Sequence, residues 1–158
     1  MSIEATRIDV LKMLLYAPSP SAPKPGSRGI IGKTRLQKEV FLAQKSLQDN
    51  HIKRKYGFMP YRYGPFSRQL YFDINLLQSQ GLVEEKTDLG ESGFTREYRL
   101  TAAGIREVES MIQNVEFKKI YDIVREIKRK YNETPLVDLV EFTHREFPEF
   151  LAEAAYNY

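Results

Sequence analysis

The stretch Pro65–Gly81, PFSRQLYFDINLLQSQG, leaves this chain the fewest choices. Phe66, Leu70, Ile74 and Leu77 recur at helical spacing and mark one buried face, while Ser67, Arg68, Tyr71, Asn75 and Gln78 fall largely on other faces. Pro65 falls where the first helical turn would begin, a position that tolerates its missing N–H. Gly81 stops the helix, because glycine accepts the left-handed conformation at a helix C-terminus. Leu82-Val83 then begins a short strand, Thr87 to Thr95 reads as a polar turn, and Arg96 to Thr101 reads as the returning strand. A helix feeding a two-stranded hairpin with basic residues on it is the second half of a winged helix. The expected fold is mainly α with a small β-hairpin wing (α+β), a winged helix-turn-helix with extra C-terminal helices.

The preceding chain supplies two more helices. Ile8, Leu11, Leu14 and Leu15 give Ile3 to Tyr16 an apolar face. Ala17 to Arg28 holds four prolines and reads as a long loop, a connector or a mobile basic arm. Gly29 to Thr34 (GIIGKT) invites comparison with a phosphate-binding loop, but Ser27 stands where the first glycine belongs and no apolar strand precedes it. A second helix opens at Lys33 or Thr34 and runs to about Leu47. Leu36, Val40, Phe41 and Leu47 face inward, which assigns Lys33, Arg35, Gln37, Lys38 and Lys45 to solvent or to a polyanion. Tyr56 to Phe66 (YGFMPYRYGPF) carries Pro60 and Pro65 and is extended or turned chain. Phe58 and Tyr61 are expected to seal the core, with Tyr56, Arg62 and Tyr63 forming a surface.

After the wing, Ala102 to about Gln113 is a helix with Thr101 as its N-cap. Glu116 to Tyr131 is amphipathic, with Phe117, Ile120, Tyr121, Val124, Ile127 and Tyr131 as its stripe. Thr134-Pro135 starts another helix, and Pro148 restarts a short final one through Phe150 and Leu151. These last helices carry more apolar surface than a small winged helix must bury. Residues 115–158 are therefore expected to form a C-terminal extension, for dimerisation or partner binding, to a winged-helix domain at 1–114.

With no cysteine, the chain has no disulfide, thiol nucleophile or thiolate metal site, which fits a reducing compartment. His51 and His144 are its only histidines and lie far apart, so neither a metal nor another cofactor is expected, and no enzyme activity. No apolar run reaches a membrane span of about 20 residues, and the N-terminus lacks the order of a signal peptide. These features read as a soluble, cytoplasmic protein. Charge is uneven. Residues 133–158 hold six acids against one base, a net of −5, which leaves +8 on residues 1–132. A basic body with an acidic end suits nucleic-acid binding with a separate interaction element.

Three segments resemble the YwgA-like group of prokaryotic proteins: GKTRLQKEVFLAQK (32–45), FMPYRYGPFSRQLYFDINLLQSQGLV (58–83) and LVEFTHREFPEFLAEA, ending at Ala154. YGPFS is the most specific part. The Gly-Leu-Val ending and the YRLTAAG run are similar to PadR-like and MarR-like winged-helix regulators. The resemblance implies a winged-helix-like core. The middle segment is also similar to the Panacea antitoxin domain, which implies a role in binding a protein.

Two functions are expected to compete. The first is double-stranded DNA binding by a homodimeric transcription regulator. Ser67, Arg68, Tyr71 and Asn75 would enter the major groove, and Lys33, Arg35, Lys38, Arg62, Lys86 and Arg96 would meet the backbone. The second is a protein-interaction module using Tyr56, Tyr61, Tyr63, Tyr71 and Phe72. Charge bears on the choice. Residues 67–80 carry no net charge and 84–99 a net of −2, which is little for counterion release.

Overall fold

Thr6 sets the start of the first helix. Its hydroxyl accepts from the Asp9 N–H at 3.1 Å, and the Asp9 carboxylate accepts from the Thr6 N–H at 2.9 Å. This reciprocal box satisfies two donors that a helix start otherwise leaves unpaired. The computed structural model describes residues 5–52, 55–90 and 93–151, so the expected start at Ile3 lies outside the described residues. The helices are α1 (Arg7–Tyr16), α2 (Lys33–Asp49), α3 (Arg68–Ser79), α4 (Ala102–Met111), α5 (Val115–Tyr131) and α6 (Leu136–Glu146). A single 3-10 turn, Pro148–Phe150, follows α6. The strands are β1 (Ile30–Ile31), β2 (Met59–Tyr61), β3 (Gly64–Phe66), β4 (Val83–Gly90) and β5 (Gly93–Leu100). The fold is mainly α with a small antiparallel sheet, as expected.

Two boundaries differ from the sequence reading. Pro65 does not open a helix: it lies in β3, opposite Pro60 of β2, and Ser67 precedes the first helical residue. Tyr61↔Gly64 closes this short hairpin, and Gly64 has φ +105°, which favours glycine. The larger hairpin is longer than the polar run suggests. β4 and β5 pair from Val83↔Leu100 through Thr87↔Arg96 to Gly90↔Gly93. A hairpin arm with both faces in solvent needs no apolar alternation, so the stretch read as a turn is a ladder. Gly81, at φ +74°, ends the turn between α3 and β4.

β1 adds to the other edge of β5, giving the sheet order β1-β5-β4 with Ile30↔Tyr98 and Ile31↔Glu97. Gly29 makes this approach possible, since a Cβ there would stand 1.8 Å from the Tyr98 carbonyl oxygen. The loop before β1 is pinned. Asn132 Nδ2 donates to Ser19 Oγ at 2.9 Å and to the Gly29 carbonyl at 3.1 Å. The Glu133 carboxylate accepts from Ser19 Oγ at 2.6 Å and from the Ser21 N–H at 2.7 Å.

The main core runs through α1, α2, α3, the sheet, α4 and α5 without a break at residue 114. Ile120, Tyr121 and Val124 of the α5 stripe are 9, 4 and 0 % exposed, and Phe117 and Ile127 pack on the same cluster. Tyr131 joins a smaller cluster with Phe41, Leu42 and Leu139. The six stripe residues expected at a dimer interface are therefore spent on the chain's own core. The expected division into 1–114 and 115–158 does not follow the packing. A chain ending at Asn114 should lack a cooperative unfolding transition instead of folding as a monomer. A sigmoidal urea curve for that fragment, with a slope near that of the full chain, would contradict this packing.

Candidate functional site

Polar side chains fix the inner face of α3, and this decides what its outer face offers. Gln37 Nε2 donates to the Ser67 carbonyl and Gln37 Oε1 accepts from the Ser67 N–H, both at 2.9 Å. Asp73 accepts from Arg7 Nε at 2.7 Å and Nη2 at 3.1 Å, and from the Tyr56 hydroxyl at 2.7 Å. Tyr56 and Asp73 are buried. Paired arginine and carboxylate forks of this kind are geometrically specific, so they fix the rotation of α3 about its axis.

The outer face then carries Arg68, Gln69, Phe72, Asn75, Leu76 and Ser79, all exposed. Phe72 is 73 % exposed and Leu76, one turn on, is 44 % exposed. A helix built to read base edges through hydrogen bonds has little use for two apolar side chains at that position. The β4–β5 hairpin ends in a second exposed pair, Leu89 and Phe94, which oppose one another in the ladder.

Several side chains expected at a DNA surface are elsewhere. Ser67 is 1 % exposed and Lys38 2 %. Arg35 is half-buried and donates to the Tyr131 and Thr134 carbonyls, both at 2.7 Å, so it ties α2 to the end of α5. Tyr71 is half-buried against Phe66, with Lys33 Nζ 5.5 Å from its ring centre. Arg68, Asn75 and Arg62 are exposed. On the hairpin, Lys86 stands opposite Glu97, and Arg96 lies 3.9 Å from Glu85. On α5, Lys118 and Arg125 both pair with Asp122, and Arg129 pairs with Glu126 at 2.8 Å. Cations compensated in this way release few counterions from a nucleic acid.

The aromatic run divides differently from the expectation. Tyr56, assigned to the surface, is 1 % exposed because its hydroxyl serves Asp73. Tyr61, assigned to the core, is 46 % exposed. Phe58 packs edge-on against Phe41, with ring centres 5.1 Å apart, as expected of a core residue. Tyr63 and Phe72 are exposed, as a partner surface requires. Leu76 was legible as an apolar residue off the Phe66–Leu77 stripe. Period alone does not separate it from an ordinary solvated leucine.

A further cation of α5, Lys128, points inward. Its ammonium donates to the Leu15 carbonyl at 2.8 Å and to the Arg28 carbonyl at 2.6 Å. Glu39 lies nearby, fully buried, with neither carboxylate oxygen hydrogen-bonded within the described residues. Burial pushes the Glu39 carboxyl above the ordinary carboxylate range, against the pull of Lys128 and Arg35. It pushes Lys128 below the usual ammonium range, against the pull of Glu39 and Glu97. Among the described residues, no group of three or more His, Asp or Glu side chains is placed to hold a metal ion. Among them too, no helix is long and apolar enough to cross a membrane. No family model matches the chain, and no curated protein matches it significantly.

Glu39 gives the stability a pH dependence of known sign. The folded chain holds a proton on Glu39 that the unfolded chain releases above the ordinary carboxylate range. Stability therefore falls as pH rises from about 5 to about 7, by on the order of 1 kcal/mol from this group. Lys128, brought down to about 7 by burial, stays protonated over most of this window and offsets the effect in part only near its upper end. Glu39→Gln should flatten the difference in urea midpoint between those two pH values, whatever it does to absolute stability. An unchanged difference would mean that Glu39 is ionised in the fold.

Proposed function

We propose that this protein is a protein-interaction module on a winged-helix scaffold, whose partner docks on the outer face of α3. The scaffold reading rests on the order α1-β1-α2-β2-β3-α3-β4-β5, in which the β2–β3 hairpin is an insertion between α2 and α3 and β1 lies against β5. The exposed Phe72–Leu76 pair carries the docking reading. Two apolar side chains one helical turn apart form an anchor for an apolar strip of a partner, and aromatic residues are enriched at interface cores. The net −2 of residues 84–99 favours a partner whose apolar strip is flanked by Lys or Arg. The similarity of the YGPFS segment to a toxin-binding antitoxin domain agrees with this class. The scaffold itself favours a second reading, DNA binding, for which exposed Arg68 and Asn75 are the available base-reading groups.

Phe72→Ser with Leu76→Ser separates the two. Neither side chain is in the core, so the urea midpoint should correspond to a stability within about 0.5 kcal/mol of the parent. Immobilised parent protein should retain a partner from the native lysate that the double variant loses. On random duplex in about 50 mM salt, neither protein should bind. Duplex binding that weakens steeply with salt, survives the double substitution and drops with Arg68→Ala/Asn75→Ala would replace the proposal with the second reading.

A further inference from the structure

Lys38 is a buried cation on α2. It is 2 % exposed, and among the described residues it has no ion pair and no hydrogen-bond acceptor. Its ammonium sits under the β2–β3 turn, where a Cβ on Gly64 would stand 3.3 Å from Nζ. Buried ammonium groups are costly and are ordinarily paired. This one lines a cleft of about 200 Å³ between α2, the β2–β3 hairpin and α3.

The walls of the cleft are aromatic. Tyr61 stacks obliquely on Phe66 with ring centres 4.7 Å apart, and Phe66 meets Tyr71 edge-on at 5.6 Å. Tyr63 and Pro65 close the hairpin side. Polar groups are few and directed. Gln37 and the half-buried Tyr71 line the cleft as well, the Gln37 amide being engaged with the Ser67 backbone. Thr34 adds a hydroxyl at the margin. His144 approaches the same turn, and its buried Nε2 has no hydrogen-bond partner among the described residues. Burial and the Lys38 charge hold this imidazole below its usual pKa, so it adds no second cation at neutral pH.

We propose that the cleft binds a small aromatic monocarboxylate, its carboxylate on Lys38 and the Tyr71 hydroxyl and its ring against the aromatic wall that Tyr61 and Phe66 form. One cation answers one negative charge. Phosphate esters, with close to two charges, would leave the second uncompensated among aromatic walls. A volume of about 200 Å³ admits a single substituted ring and little more. Burial brings the Lys38 ammonium down to about 8, which leaves it mainly charged at neutral pH and able to act as the anchor. This inference stands apart from the α3 docking surface and does not depend on it.

The test uses the full chain with benzoate and its neutral isostere benzamide, read by calorimetry and by the thermal midpoint. Benzoate should bind saturably and raise the midpoint. Benzamide should bind at least about tenfold more weakly, the worth of a charge-assisted hydrogen bond in a buried site. Lys38→Met removes a buried unpaired charge at similar volume, so the unliganded variant should fold and melt no lower than the parent. It should lose the preference for benzoate over benzamide. Tyr71→Phe, which keeps the charge, should weaken benzoate severalfold and serves if Lys38→Met does not fold. The proposal is overturned by absence of saturable benzoate binding, by equal binding of benzoate and benzamide, or by benzoate affinity unchanged in either variant.

Discussion

The ammonium of Lys128 holds the parts of this fold in place. It satisfies the carbonyl of Leu15, one of the last-turn acceptors that a helix leaves unpaired, and the carbonyl of Arg28 at the end of the proline-rich loop. Burying a charge is expensive, and burial brings the Lys128 ammonium below its usual range. The consequence is geometric. With Lys128 seated on α1, α5 lies across the molecule and its stripe meets α1 and α2. The next turn brings Asn132 and Glu133 to Ser19, Ser21 and Gly29, so the loop is tied at several points. The loop in turn delivers β1 to the edge of β5, where only glycine at 29 fits.

A second set of polar ties governs the surface. Arg7 and Tyr56 hold Asp73, and Gln37 holds the backbone of Ser67. These bonds engage the Asp73 carboxylate and the Ser67 backbone on the inner side of α3. What remains outside is a mixture of Arg68, Asn75, Phe72 and Leu76. Gln37, which anchors α3, lines the same cleft as Lys38 and Tyr71. The cleft and the docking face are thus opposite products of one packing arrangement, one turned towards α2 and one turned away.

Most elements were legible in the sequence because their apolar spacing survives in the fold. Leu70, Ile74 and Leu77 face inward in α3, and Gly81 ends the turn after it, as read. Thr101 caps α4, with the Gly104 N–H donating to its hydroxyl at 3.2 Å. The misreadings share one origin. Pro65 suits a helix start, yet it also suits a short strand whose N–H is not needed, and pairing with Pro60 decided between them. Lys38 and Ser67 fall among polar residues in the sequence, and local pattern gives no sign that a hairpin will close over one and an amide take up the backbone of the other.

The sequence by itself determined the helices, the hairpin and the need of α5 to bury its stripe, because periodicity is a property of one element read alone. It also determined the weak charge of the α3 and β4–β5 segments. Only the tertiary structure decided what covers each face. α5 packs on α1 and α2 of its own chain, while Phe72 and Leu76 find nothing to cover them within the described residues. The physical reason is that burial is a relation between elements distant along the chain. Asp73 meets Arg7, and Lys128 meets Leu15, only once the whole core has closed.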